Sequence, residues 1–148
     1  MSLAAIHAAI PHRDPFLLVD EVVESTPERI VCRKKFRGDE FFFQGHYPGH
    51  PVTPGVLLCE AGMQAGAVLL SAHLGQKKGL PVATRINDVR FKRMVRPGET
   101  ILIEVELVER LAGAFFLKAR ITCQDKLAAR FEFACTLADP DAAGGPEH

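Results

Sequence analysis

The sequence predicts an α+β domain in which an antiparallel sheet wraps around one long helix. Residues 55–74 are apolar on nearly every side of a helical projection, so that helix needs enclosure rather than a place on a surface. Six other segments carry apolar-polar alternation or strand-forming residues. Four of them follow the helix at short intervals marked by turn residues, which favours hairpins and antiparallel pairing. A sheet that encloses a single helix has to curve around it.

The elements follow in order. Residues 2–10 read as a short helix that Pro11 ends, and the turn-rich PHRDP comes next. Segments 16–25 (FLLVDEVVES) and 29–37 (RIVCRKKFR) read as strands joined around Thr26-Pro27-Glu28. Residues 38–54 hold three glycines and three prolines, too much punctuation for an element interior, and form a loop. Thr53 suits the N-cap of the long helix and Pro54 its first position. Strands are expected at 82–95, 100–109, 114–124 and 127–137, with turns at Pro97-Gly98, Ala112-Gly113 and Asp125-Lys126. Alternation is plainest in ILIEVELVE and FFLKARIT. The reading is one domain over 1–138 and a mobile tail over 139–148.

Bulk properties exclude several classes. At 148 residues, 47% hydrophobic and 24% charged, the chain suits one globular domain with a real core. Its 18 basic and 18 acidic residues cancel, which argues against a general nucleic-acid binder. Cys32, Cys59, Cys123 and Cys135 stand at neither metal-ligand nor CxxC spacing and have mostly apolar neighbours; they read as reduced core residues of a cytoplasmic protein. The stretch MSLAAIHAAIPHRDPF lacks the basic start and long apolar run of a signal peptide. Glu60, Gln64 and Ser71 break the longest apolar segment, so no membrane span is expected.

Chemistry concentrates at Glu60, the one charged residue of VLLCEAGMQAGAVLLSA. A carboxylate in an apolar helix is costly without compensation. His46, in the stiff GHYPGHPVTPG loop just upstream, is its expected partner, with a reference pKa near roughly 6.5 suited to proton transfer. The N–H of Gly55 belongs to the orphan donors of the helix start and suits a carbonyl oxygen gaining charge. Gln64, four residues beyond Glu60, lies on the same helical face and can orient its carboxyl. These are the parts for β-elimination of water beside a polarised carbonyl. The plainer readings are a Glu satisfied by hydrogen bonds and a His that pins its loop. A metal site at His46 and His50 is disfavoured because Pro48 and Gly49 forbid a helix there. Cys59 makes a poor nucleophile in an apolar helix. His12 beside Arg13 reads as a loop-structuring residue. The segment RINDVRFKRMVR (residues 85–96) has a local positive excess and is either a solvated strand face or a docking patch for an acidic partner.

The residues resemble the FabZ family, the 3-hydroxyacyl-[acyl-carrier-protein] dehydratases of bacterial fatty-acid synthesis. The resemblance rests on IPHRDPFLLVDEV (10–22), FFFQGHYPGHPVTPGVLLCEAGMQ (41–64) and VRFKRMVRPGE (89–99). It implies the hot-dog fold, a catalytic pair of His46 and Glu60 shared between two protomers, Gly55 as the carbonyl-binding amide and Gln64 as the carboxyl-orienting partner. It further implies an acyl carrier protein as partner, a homodimer or a hexamer built as a trimer of dimers, and no cofactor or metal. The isomerising relative FabA has Asp where this chain has Glu60, which disfavours an added isomerase activity. Departures are Tyr47 for Phe, His50 for Arg or Lys, Thr53 for an apolar residue, and Gly62-Met63 for Met-Ala. Gly62 is expected to open room beside the acyl channel.

The implied reaction takes (3R)-3-hydroxyacyl thioesters to trans-2-enoyl thioesters, with His46 as base and Glu60 as acid, an order less settled than the pair. Two alternatives remain within enzymes: a hot-dog acyl thioesterase, separated by its free-acid product, and a dehydratase of a specialised acyl or polyene pathway. A third is a non-catalytic acyl-carrier-binding subunit, which would need neither proton-transfer residue.

Overall fold

The computed structural model describes residues 2–75 and 79–139, so the expected tail lies, apart from Asp139, outside the described residues. Helix α1 (Leu3–Ala9) is followed by strands β1 (Glu21–Ser25) and β2 (Arg29–Lys35), helix α2 (Gly55–Leu74), and strands β3 (Leu80–Phe91), β4 (Thr100–Leu111), β5 (Ala114–Cys123) and β6 (Lys126–Ala138). The six strands form one antiparallel sheet in the order β1-β2-β4-β5-β6-β3.

Local chemistry explains most of these elements. Ser2 caps α1, its Oγ accepting from Ala5 N–H at 3.3 Å. The β4–β5 hairpin turns through Ala112 and Gly113, at φ 52° and 82°. Two positive φ angles match the right-handed twist of the flanking strands. The β5–β6 hairpin turns through Gln124 and Asp125 rather than Asp125-Lys126, again with both φ positive. Alternation places Ile101, Ile103, Val105, Phe115, Leu117 and Ile121 on the buried face, all at 1% exposure or less.

Two expectations fail for non-local reasons. The first strand starts at Glu21 rather than residue 16, because Gln64 takes the backbone groups of Phe16 and Leu18 for itself. The four strands after α2 are not a simple meander. β3 pairs with β6, and Pro97-Gly98 is not a hairpin turn. Residues 92–98 instead bridge separate parts of the fold: Lys92 N–H donates to Ala128 O (2.8 Å) and Gly98 N–H to Phe36 O (2.6 Å). β3 is thereby left as a twelve-residue edge strand, largely exposed.

α2 lies on the curved sheet. Its length and hydropathy would suffice to cross a membrane, yet most of it is buried within the fold. Gly62 and Gly66 set how closely it approaches. A Cβ at Gly62 would sit 2.6 Å from Phe131 Cζ and 3.2 Å from Ala119 Cβ; one at Gly66 would sit 2.7 Å from Phe133 Cζ. The space beside Gly62 is therefore filled by Phe131 and does not widen a channel. Gly62→Ala raises helix propensity by about 1 kcal/mol. Overpacking against a ring that is only 2% exposed costs about 1–3 kcal/mol and wins. Urea unfolding of Gly62→Ala should show a lower midpoint than wild type; a higher one would mean that the ring has room to move.

Candidate active site

The Gly/Pro-rich loop is held from both ends. Near its start, Glu40 accepts from the N–H groups of Arg37 and Gly38, and Lys34 Nζ lies 3.7 Å from its carboxylate. Burial pushes the Glu40 carboxyl up, but these N–H donors and Lys34 outweigh it and hold the group below the usual range. Phe42 and Phe43 bury the short 3-10 turn that follows, at residues Phe41–Gln44. At the loop's end, Thr53 N–H donates to Val95 O at 2.8 Å.

His46 sits between these anchors. Its Nδ1 lies 2.9 Å from Val52 O. A carbonyl only accepts, so Nδ1 carries the proton and Nε2 keeps a free lone pair. The ring stacks on Tyr47 at 4.2 Å between centroids, which fixes its plane. This tautomer is the one a general base needs.

α2 begins at Gly55, with Pro54 at the N-cap and no side-chain cap bond. Thr53 is not the cap: Pro54 is extended, with ψ 133°, and the buried Thr53 Oγ1 has no partner among the described residues. No side chain competes for the first helical N–H, that of Gly55. Gly55 and His46 line one cavity, together with Phe91 and Met94. A Cβ at Gly55 would meet the Phe91 ring at 2.8–3.0 Å, so the bare Cα keeps this ring against the helix start.

Glu60 lies a turn and a half along α2, half-buried. Gln64 Nε2 donates to its Oε2 at 3.0 Å and also to Phe16 O at 2.8 Å. Gln64 Oε1 accepts from Leu18 N–H at 2.7 Å. Gln64 is 1% exposed, and its amide is locked by three bonds. Glu60 lines a second cavity with Met63, Ala67, Leu80 and Cys135. Burial lifts the Cys135 thiol to about 12 and raises Cys59 as well, so neither is a ready nucleophile.

The structure thus holds two separate groups of candidate residues. His46 and Gly55 share one cavity, and Glu60, held by Gln64, borders another. Among the described residues, the cavity that His46 lines and the cavity that Glu60 lines have separate walls. Sequence reasoning missed one neighbour: His12 Nε2 lies 4.0 Å from Glu60 Oε2. Nothing local signals this approach across 48 residues of sequence.

The geometry can now be set beside known proteins. The family model of the FabA-like domain matches residues 10–132. A 3-hydroxyacyl-[acyl-carrier-protein] dehydratase FabZ of Chloroflexus aggregans is 44% identical, the alignment covering 95% of this chain and 98% of that one. This chain belongs to the FabZ family. A second FabZ, from Thermomicrobium roseum, is 45% identical over 93% of each chain. Among solved structures, the dehydratase heterocomplex ApeI:P from Xenorhabdus doucetiae superposes with a TM-score of 0.75 at 16% identity, covering 91% of each chain. The PaaI protein of E. coli superposes at 0.64 and 16% identity, covering 78% of this chain and 81% of that one. At such identities the likeness shows the fold alone, and the fold is the hot-dog. In this chain, α2 is the long helix of that fold and the six strands form its sheet.

Proposed function

We infer that the chain is a cofactor-free hydro-lyase that converts (3R)-3-hydroxyacyl-[acyl-carrier-protein] to trans-2-enoyl-[acyl-carrier-protein] in cytoplasmic fatty-acid synthesis. The observation that carries the reading is the His46 tautomer beside the uncapped Gly55 N–H. The thioester carbonyl accepts from Gly55 N–H, which acidifies the α-carbon. His46 Nε2 takes the α-proton, and the C–H electrons become the C2–C3 double bond. The C3–O bond breaks, and the Glu60 carboxyl protonates the departing hydroxide to give water. The proton on His46 then returns to Glu60 through solvent, restoring both groups. The test is enoyl thioester formation from a 3-hydroxyacyl carrier substrate; release of free acid and thiol would instead mean a thioesterase.

On this reading the two groups, His46 with Gly55 and Glu60 with Gln64, meet when a second copy joins. The edge strand β3, with Ile86 and Phe91 exposed, offers unpaired backbone for antiparallel pairing with its own copy. The assembly on this reading is a homodimer or a trimer of dimers, which sedimentation distinguishes.

The carrier docks on Lys92, Arg96 and Lys126, which line one cavity and pair with no carboxylate among the described residues. Arg93 is different: its guanidinium is held by Glu99 and Gln124, both at 2.9 Å, so altering it disturbs the fold. Reversing Lys92 and Arg96 to Glu should raise KM for the carrier-bound substrate about tenfold or more and spare a small pantetheine thioester. Equal effects on both substrates would remove the docking role.

Acyl length is set in the cavity beside Glu60. With Gly62 turned to Phe131, the large side chain of the pair is Met63, half-buried on the cavity wall. Met63→Ala should favour longer chains, about tenfold for two added methylenes at roughly 0.8 kcal/mol each. A ladder of 3-hydroxyacyl carriers reads the shift directly; an unchanged profile would place the limit elsewhere.

A further inference from the structure

The His12 ring stands beside Glu60 with no task assigned to it. Its Nε2 lies 4.0 Å from Glu60 Oε2, and both groups border the same cavity. Its Nδ1 is buried and finds no partner among the described residues. An imidazole carrying a proton on Nδ1 would bury an unsatisfied N–H, which is costly. The proton therefore belongs on Nε2, the nitrogen that faces the carboxyl. His12 and His46 thus hold opposite tautomers, and His12 is arranged as a donor where His46 is arranged as an acceptor.

The backbone on either side is fixed. Arg13 donates to the carbonyls of His7 (3.0 Å), Ile10 (2.9 Å) and His12 (2.8 Å), which ties the segment to the end of α1. Gln64 holds Phe16 and Leu18 and, with the same amide, Glu60 Oε2. Gln64 thus donates to Oε2 at 3.0 Å, and the His12 Nε2 faces the same oxygen from 4.0 Å, beyond hydrogen-bond length. A carboxyl acting as the acid of the dehydratase reading avoids placing its own O–H against donors, so the proton it delivers belongs on Oε1.

We propose that His12 is a positioning residue for Glu60: Gln64 holds Oε2, the His12 N–H faces the same oxygen, and Oε1, with the transferable proton, is left turned to the substrate hydroxyl. This rests on the dehydratase reading. His12 touches no reacting atom; it acts through Glu60.

The test compares wild type, His12→Phe, His12→Gln and Glu60→Gln on a 3-hydroxyacyl carrier substrate, with thermal unfolding of each. Phe keeps a packed ring and removes the donor; Gln keeps a donor. His12→Phe is expected to lower kcat about 10–100-fold, leave KM within about threefold, and keep a near wild-type Tm. His12→Gln should recover part of the lost kcat. Wild-type kcat in His12→Phe, or equal kcat in the Phe and Gln variants, overturns the proposal. If His12→Phe fails to fold, His12→Leu replaces it in the same comparison with Gln. The two readings fail separately. A wild-type chain that forms no enoyl thioester overturns the dehydratase itself. Wild-type turnover lost in Glu60→Gln but kept in His12→Phe overturns only the role of His12.

Discussion

His46→Ala and Glu60→Gln should each lower kcat/KM at least about a thousandfold while the protein stays folded, because each removes one of the two proton-transfer groups. The stronger result comes from mixing the two inactive variants. In a mixed dimer, one site combines the intact His46 of one chain with the intact Glu60 of the other, and the second site lacks both. Random exchange of subunits should then restore about a quarter of wild-type activity. The placement of His46 and Glu60 in separate cavities of one chain motivates this expectation. An active site contained within one chain predicts no recovery, so a mixture that stays inactive after verified subunit exchange rejects the shared site.

Gln64→Ala is expected to be the most damaging single change outside the pair. It deletes three hydrogen bonds and leaves the buried Leu18 N–H and the part-buried Phe16 O without their partner. Unsatisfied buried groups cost about 1–3 kcal/mol each, so a stability loss of about 2–5 kcal/mol should appear in urea unfolding. Activity should fall as well, because Glu60 loses its 3.0 Å donor. The two effects separate in Gln64→Glu. It can still accept from Leu18 N–H but sets a second carboxyl beside Glu60, so it should retain more stability than Ala and no more activity. A Gln64→Ala protein as stable as wild type would mean that residues 16–18 find other partners.

Much of the site was legible because its signals are local. Glu60 is conspicuous as a charge in an apolar helix, and Gln64 follows from helical spacing alone. His46 stands out through the Gly/Pro loop that stiffens it. Ala112-Gly113 announces its hairpin because glycine accepts positive φ. The failures are of another kind. The extended run at residues 16–20 has strand composition, yet a side chain 46 residues away takes its backbone bonds. Gly62 looked like an opening, and a ring from β6 fills it. Arg93 lies in the basic segment that reads as a solvated face or a docking patch, and Glu99 and Gln124 hold it.

The sequence by itself determined the α+β class, the apolar helix with its single carboxyl and the hairpin chemistry of β4 to β6, and it supplied the candidates His46, Gly55, Glu60 and Gln64. These depend on period, capping and turn preferences acting over a few residues. Only the tertiary structure decided that β3 lies at the sheet edge, that His46 and Glu60 border different cavities, and that His12 faces Glu60 across 4.0 Å. Those facts depend on which strand closes the sheet and how closely α2 settles on it. Contacts between residues far apart in the chain settle both, and no local pattern encodes them.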